Sequence, residues 1–156
     1  TITGLLFLVV GFIYERAHTR HIPDLGGLVS SMPLVGIVFV IAGLASLGLP
    51  STSGFVGELL VFVGTYDVWT IQTALGVFGI VITSGYILWT VQRVMFGPKR
   101  DRFVEIGDAK IVDIAPMVLL VITIFGVGLY PSLLTDIFDS GIWTITEIIG
   151  GSASLP

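Results

Sequence analysis

Residues 48–60 read GLPSTSGFVGELL and interrupt one of the most apolar stretches of the chain. From Leu25 to Tyr66 the sole formal charge is Glu58, placed just beyond the cluster Pro50-Ser51-Thr52-Ser53-Gly54. If the cluster is a loop at a membrane surface, the apolar run turns back. If it breaks a helix inside the bilayer, the run crosses. The choice fixes the topology of everything around it.

Composition supplies the setting. Of 156 residues 54% are hydrophobic and 12% charged, about half the charged share of a soluble domain, and the mean hydropathy is +1.01. Apolar runs recur near the ~20 residues that a helix needs to span a bilayer, so the expected class is an all-α integral membrane protein. The start lacks a Met and a signal-peptide pattern and lies within an apolar run, so we expect a piece of a longer chain. The absence of Cys excludes disulfides, thiolate metal sites and cysteine nucleophiles. A net charge of -4 says little, because in membranes the placement of charge outweighs its sum.

Working outward, the break sits inside a segment running from about Pro33 to Gly64. Before it lies an apolar segment from Thr1 to about Tyr14, only ~21 Å long as a helix. After it come a segment from about Val68 to Met95, with Trp69 and Trp89 near its ends as interfacial belts prefer, and one from about Ile111 to Tyr130. These make about four transmembrane helices over residues 1–131. In the tail, 132–156, Leu134, Ile137, Phe138, Ile145, Ile148 and Ile149 share a helical face opposite Asp136, Asp139 and Glu147. That pattern predicts an amphipathic helix lying at the interface.

The basic residues decide the topology. Arg16 and Arg20 follow the first segment; Arg93, Lys99, Arg100, Arg102 and Lys110 surround the loop between the last two. If the broken segment crosses once, all seven fall on one side; if it re-enters, they split. The positive-inside rule favours the crossing, with loops 15–32 and 97–110 cytoplasmic or matrix-facing and the tail opposite.

Chemistry then concentrates at the break. Pro50 removes a donor and bars Leu49 from the α conformation, which should end the first half-helix. Ser51, Thr52 or Ser53 can cap the second, whose free N–H groups lack water as a partner. With Ser53 as the cap, Glu58 falls in the second turn, beside Gly54, Gly57, Val61 and Gly64, a groove suited to close packing or to water. An ionised Glu at mid-depth costs ~2.5–3.5 kcal/mol on insertion scales, and the positive end of the half-helix offsets a part. Such a carboxyl suits a proton relay. The alternative is a structural role, paired to a base on another subunit or capping the broken backbone.

Other candidates carry less. Glu15, His18, His21 and Asp24 have poor spacing for a metal; a solvated or subunit-contacting loop is expected there, and no metal. Thr70, Gln72, Thr73, Thr83, Ser84 and Thr90 are scattered around their helix and should bond to backbone or a neighbouring helix. Gly76, Gly79 and Gly85 should mark close packing. No GxGxxG, P-loop, HExxH or Ser-His-Asp pattern is present, so no nucleotide, haem or iron–sulfur site and no nucleic-acid partner is expected.

The ordered phrases YERAHTR (14–20), GGL (26–28), MP (32–33), LASLGLP (44–50), GFVGELLVFVG (54–64), MFGPK (95–99) and GLYP (128–131) resemble the C-terminal part of the subunit-4-type, antiporter-like membrane subunits (chain M) of complex I, the NADH–quinone oxidoreductase. The resemblance covers roughly Leu5 to Pro131. It implies a bundle of inverted repeats, each with one broken helix, in which the break of the second repeat carries an ionisable residue at the outlet of a proton channel. By motif position that residue is Glu58. It also implies that redox chemistry, with flavin and iron–sulfur clusters, belongs to partner subunits, and that the partners are other complex I membrane subunits, the lipid bilayer and protons. The first repeat and the helix bearing the family's central Lys are missing from these 156 residues, so four spans alone should not pump. Two further possibilities are a cation/proton antiporter or membrane-bound hydrogenase subunit, and a purely structural membrane fragment.

Overall fold

A computed structural model describes residues 1–98, 101–103, 106–132, 135, 136 and 138. These form five α-helices: α1 (Ile2–Ala17), α2 (Pro33–Ser46), α3 (Ser53–Tyr66), α4 (Thr70–Met95) and α5 (Ile111–Leu129), with short 3-10 turns at Ile22–Asp24, Leu28–Ser30 and Asp101–Phe103. The apolar first segment therefore extends as helix through the charged Glu15 and Arg16, past its expected end at Tyr14, and stops at His18 in the left-handed region. The amphipathic tail expected over 132–156 lies almost wholly outside the described residues.

α2 is the hub. Its Val35, Phe39, Ala42 and Ala45 are buried with Leu5, Val9, Phe12 and Ile13 of α1, Val91, Val94 and Met95 of α4, and Met117 and Ile124 of α5. α1 runs antiparallel to α2, and α5 runs alongside it in the same direction, from Asp108 beside the start of α2 to Gly128 beside Ser51. α4 is antiparallel to both α2 and α3. Near its C-terminal end Ile87 and Val91 face Gly43 of α2, while toward its N-terminal end Gly76 faces Phe62 of α3 and the Thr73 hydroxyl meets that of Thr65 at 3.0 Å. The pairing keeps one antiparallel register across both partners. α2 and α3 thus follow each other along a single 26-residue helix, ~39 Å long.

Outside that hub the helices are dressed for lipid. α4 and α5 are each long and apolar enough to cross a membrane, yet Phe78 is 62% and Leu119 65% exposed, and α3 contains no buried residue. Apolar surface on this scale belongs against acyl chains or other membrane helices. The chain is an all-helical integral membrane protein.

The end where α1 and α4 finish and α2 and α5 begin is tied by polar contacts. Arg16 lies over the Phe12 ring at 5.0 Å, donates to the Gly107 carbonyl at 3.4 Å and sits 3.8 Å from the Asp113 carboxylate. α2 starts at Pro33 with Met32 at its cap, a residue whose side chain is a poor acceptor. Its orphan N–H groups are met from across the chain: Leu34 donates to Asp108 Oδ2 at 2.8 Å and Val35 to Oδ1 at 3.4 Å. Asp108 caps α2 from the loop before α5. Asp108→Ala is expected to cost about 0.5–2 kcal/mol, the range for losing an N-cap, read as a lowered thermal midpoint of the solubilised protein.

Candidate functional site: the gap between α2 and α3

α2 ends earlier than Pro50 requires, and by a different device. Gly48 takes a left-handed conformation, φ 67°. Its N–H donates to the Ala45 carbonyl at 3.3 Å, and the Leu49 N–H donates to the Leu44 carbonyl at 3.2 Å. That pair of bonds is a Schellman motif, which consumes the last carbonyls of a helix and needs a residue without Cβ strain at its left-handed position. The expectation that Pro50 ends the half-helix at Leu49 is corrected: Gly48 ends it at Ser46, and Pro50 only bars its resumption.

The capping expectation changes as well. Thr52 occupies the N-cap position of α3, Ser53 is already its first helical residue, and no side-chain cap bond forms. The Thr52 hydroxyl, 1% exposed, instead donates back to the Leu49 carbonyl at 2.7 Å. It ties the gap to itself. Ser51 carries a positive φ of 78°, uncommon for a residue with a side chain.

Backbone crowding explains the glycines. A Cβ on Gly54 would collide with the Ala45 carbonyl oxygen, and one on Gly128 with the Ser51 carbonyl and the Thr52 backbone. Only hydrogen lets the first turn of α3, and the last turn of α5, lie this close to the gap. A Cβ on Gly57 would meet nothing within 4 Å, and the residue is exposed, so it packs against nothing described. In α4 the expectation of close packing holds for Gly76, which packs on Phe62, and is corrected for Gly79 and Gly85, which face open space. The helix hydroxyls behave as expected, with Thr70, Thr83, Ser84 and Thr90 donating to carbonyls four residues back.

Glu58, half-buried in the second turn of α3, reaches back across the gap. Helical side chains lean toward the N-terminus of their helix, which carries its carboxyl onto Gly48; a Cβ there would collide with Glu58 Oε2. Glu58 has no hydrogen-bond or ion-pair partner among the described residues, whose ion pairs, Arg16–Asp113 and His21–Asp24, both lie at the other end of α2. The backbone N–H groups of Gly48 and Leu49 are already spent on α2. The Glu58 carboxyl, unpaired among the described residues, thus lies against the gap between α2 and α3. His21 bonds Asp24 at 3.1 Å, and no three of His, Asp and Glu converge among the described residues.

Residues 1–83 match the membrane family described as NADH:quinone oxidoreductase/Mrp antiporter. The chain belongs to that family. The match takes in α1, α2, the gap, α3 and the first half of α4. Among curated relatives, NADH-quinone oxidoreductase subunit M of Rhodobacter capsulatus is 39% identical over 142 residues, which are 90% of this chain and 28% of that protein. F(420)H(2) dehydrogenase subunit M of Methanosarcina mazei is 31% identical over 150 residues, 96% of this chain and 30% of that protein. Of solved structures, a chain of respiratory complex I from Thermus thermophilus with bound NADH superposes with a TM-score of 0.78 at 30% identity, covering 83% of this chain and 27% of that one. The resemblance to M-type subunits read from the ordered phrases is borne out along most of the chain. The chain spans less than a third of the length of these relatives.

Proposed function

We propose that this chain forms part of a proton-translocating membrane subunit of an NADH–quinone oxidoreductase, and that Glu58 carries the proton through the outlet half of its channel. The carrying observation is the Glu58 carboxyl lying against Gly48, in the gap between two helices that follow one path along α4. That path supports α2 and α3 as one crossing broken inside the bilayer. Pro50, Ser51, Thr52 and Ser53 hold the helix open, and Gly54 lets its two halves approach. Gly57 leaves room for water beside the carboxyl. A mid-membrane carboxyl with no partner among the described residues must stay protonated, meet water or meet another subunit, and exchange with water is a step of proton transfer.

The remaining parts follow from this role. Other membrane subunits of the complex complete the path, and flavin and iron–sulfur clusters lie in further partners. The choice of electron donor lies outside this chain, since similar sequences occur in proteins named for NADH and for F420H2. Arg16, Arg20, Arg93, Arg102 and Lys110 belong to the end where α2 begins, and this favours a cytoplasmic or matrix position for that end.

The test is Glu58→Gln in the assembled complex, with protons moved per quinone reduced as the readout. Pumping equal to the parent defeats the assignment.

A further inference from the structure

We propose that Gly48 is a positioning residue for Glu58: the hydrogen at its Cα is the surface on which the carboxyl rests, and it holds that carboxyl at the gap. The inference deepens the proton-carrier role and depends on it. Two independent features meet at Gly48. Its φ of 67° closes the Schellman motif of α2, and the volume that any Cβ would fill there is taken by the Glu58 carboxyl. A helix cap needs only the first. Asn also adopts the left-handed conformation at low cost, so a cap alone would accept it.

The second feature makes the residue at 48 a matter of geometry for the carboxyl. With its own N–H spent on Ala45, Gly48 offers Glu58 no donor that would hold it in one charge state. It offers shape alone. A side chain at 48 would push the carboxyl off the gap toward the exposed flank of α3, where Leu59 and Leu60 are 47% and 56% exposed, and away from where the broken backbone admits polar groups.

The experiment uses the complete complex and measures both the amount assembled and the protons moved per quinone reduced. Gly48→Asn keeps the cap and fills the space. It is expected to assemble and to lower the proton ratio roughly fivefold or more, the factor carried by a displacement of about 1 kcal/mol. Glu58→Asp draws the carboxyl back by one methylene, so Gly48→Asn should cost less in that background than in the parent. Where Gly48→Asn fails to assemble, adding Glu58→Ala removes the collision and should restore assembly. A parental ratio in Gly48→Asn, when Glu58→Gln has lost pumping, overturns the positioning role and leaves the proton carrier standing. Equal losses from Gly48→Asn in the parent and in the Glu58→Asp background, or no restored assembly with Glu58→Ala, overturn it too. Parental pumping in Glu58→Gln removes both.

Discussion

A complex carrying Glu58→Gln is expected to assemble as the parent does and to lose most of its proton transfer per quinone reduced. Assembly should hold because Gln matches Glu in shape and Glu58 has no ion-pair partner among the described residues to be orphaned. Transfer should fail because an amide cannot take up and release a proton, and a positioned acid–base group contributes about 10²–10⁴-fold to such a step. Native gels report the first outcome and pH-gradient formation during quinone reduction the second. The structural alternative predicts the reverse pattern. If Glu58 were one half of a buried pair with a base on another subunit, removing its charge would strand that base at a cost of roughly 3–5 kcal/mol, and the loss would appear in assembly. Glu58→Asp keeps the chemistry but shortens the reach to Gly48, so intermediate pumping is expected.

Whether a feature is legible in the sequence depends on whether its signal is local. A lone charge in a long apolar run marks Glu58 without any structure, because burial energetics act on each residue alone. The helix break is equally legible, but its agent is not. In Leu47-Gly48-Leu49-Pro50 both Gly48 and Pro50 can stop a helix, and the sequence pattern favours the proline. The structure shows the left-handed Gly48 acting first, with Pro50 in the place where prolines commonly follow such a cap. Asp108 escapes a sequence reading because it caps a helix 74 residues away in the chain. The available hint is negative: Pro33 opens α2 behind Met32, whose side chain is a poor acceptor for the orphan N–H groups. Glycine roles are the least legible. Gly76 and Gly79 look alike in α4, and only the position of Phe62 on α3 tells them apart.

That dependence on the neighbour gives the second large effect, at Gly128. Gly128→Ala is expected to disrupt the bundle, while Gly126→Ala, two residues away in the same helix, should be tolerated or slightly stabilising. A Cβ at 126 meets nothing within 4 Å, so that change brings only the helix preference of Ala over Gly, about 0.8–1.0 kcal/mol. A Cβ at 128 meets the Ser51 carbonyl and the Thr52 backbone. Neither can swing aside as a side-chain tip would, because the gap is fixed by the Thr52 hydroxyl on Leu49 and by the Schellman bonds of α2. Forcing atoms into packed space costs typically about 1–3 kcal/mol, and more where the backbone must move. Here the backbone that must move borders the gap that the Glu58 carboxyl reaches. Thermal midpoints of the solubilised complex should therefore separate the two variants in opposite directions. Any Gly128→Ala complex that does assemble should show a lowered proton ratio, because the collision would push α5 and the Ser51–Thr52 backbone apart beside the gap. Equal stability and equal pumping in the two variants would mean that α5 does not brace the break.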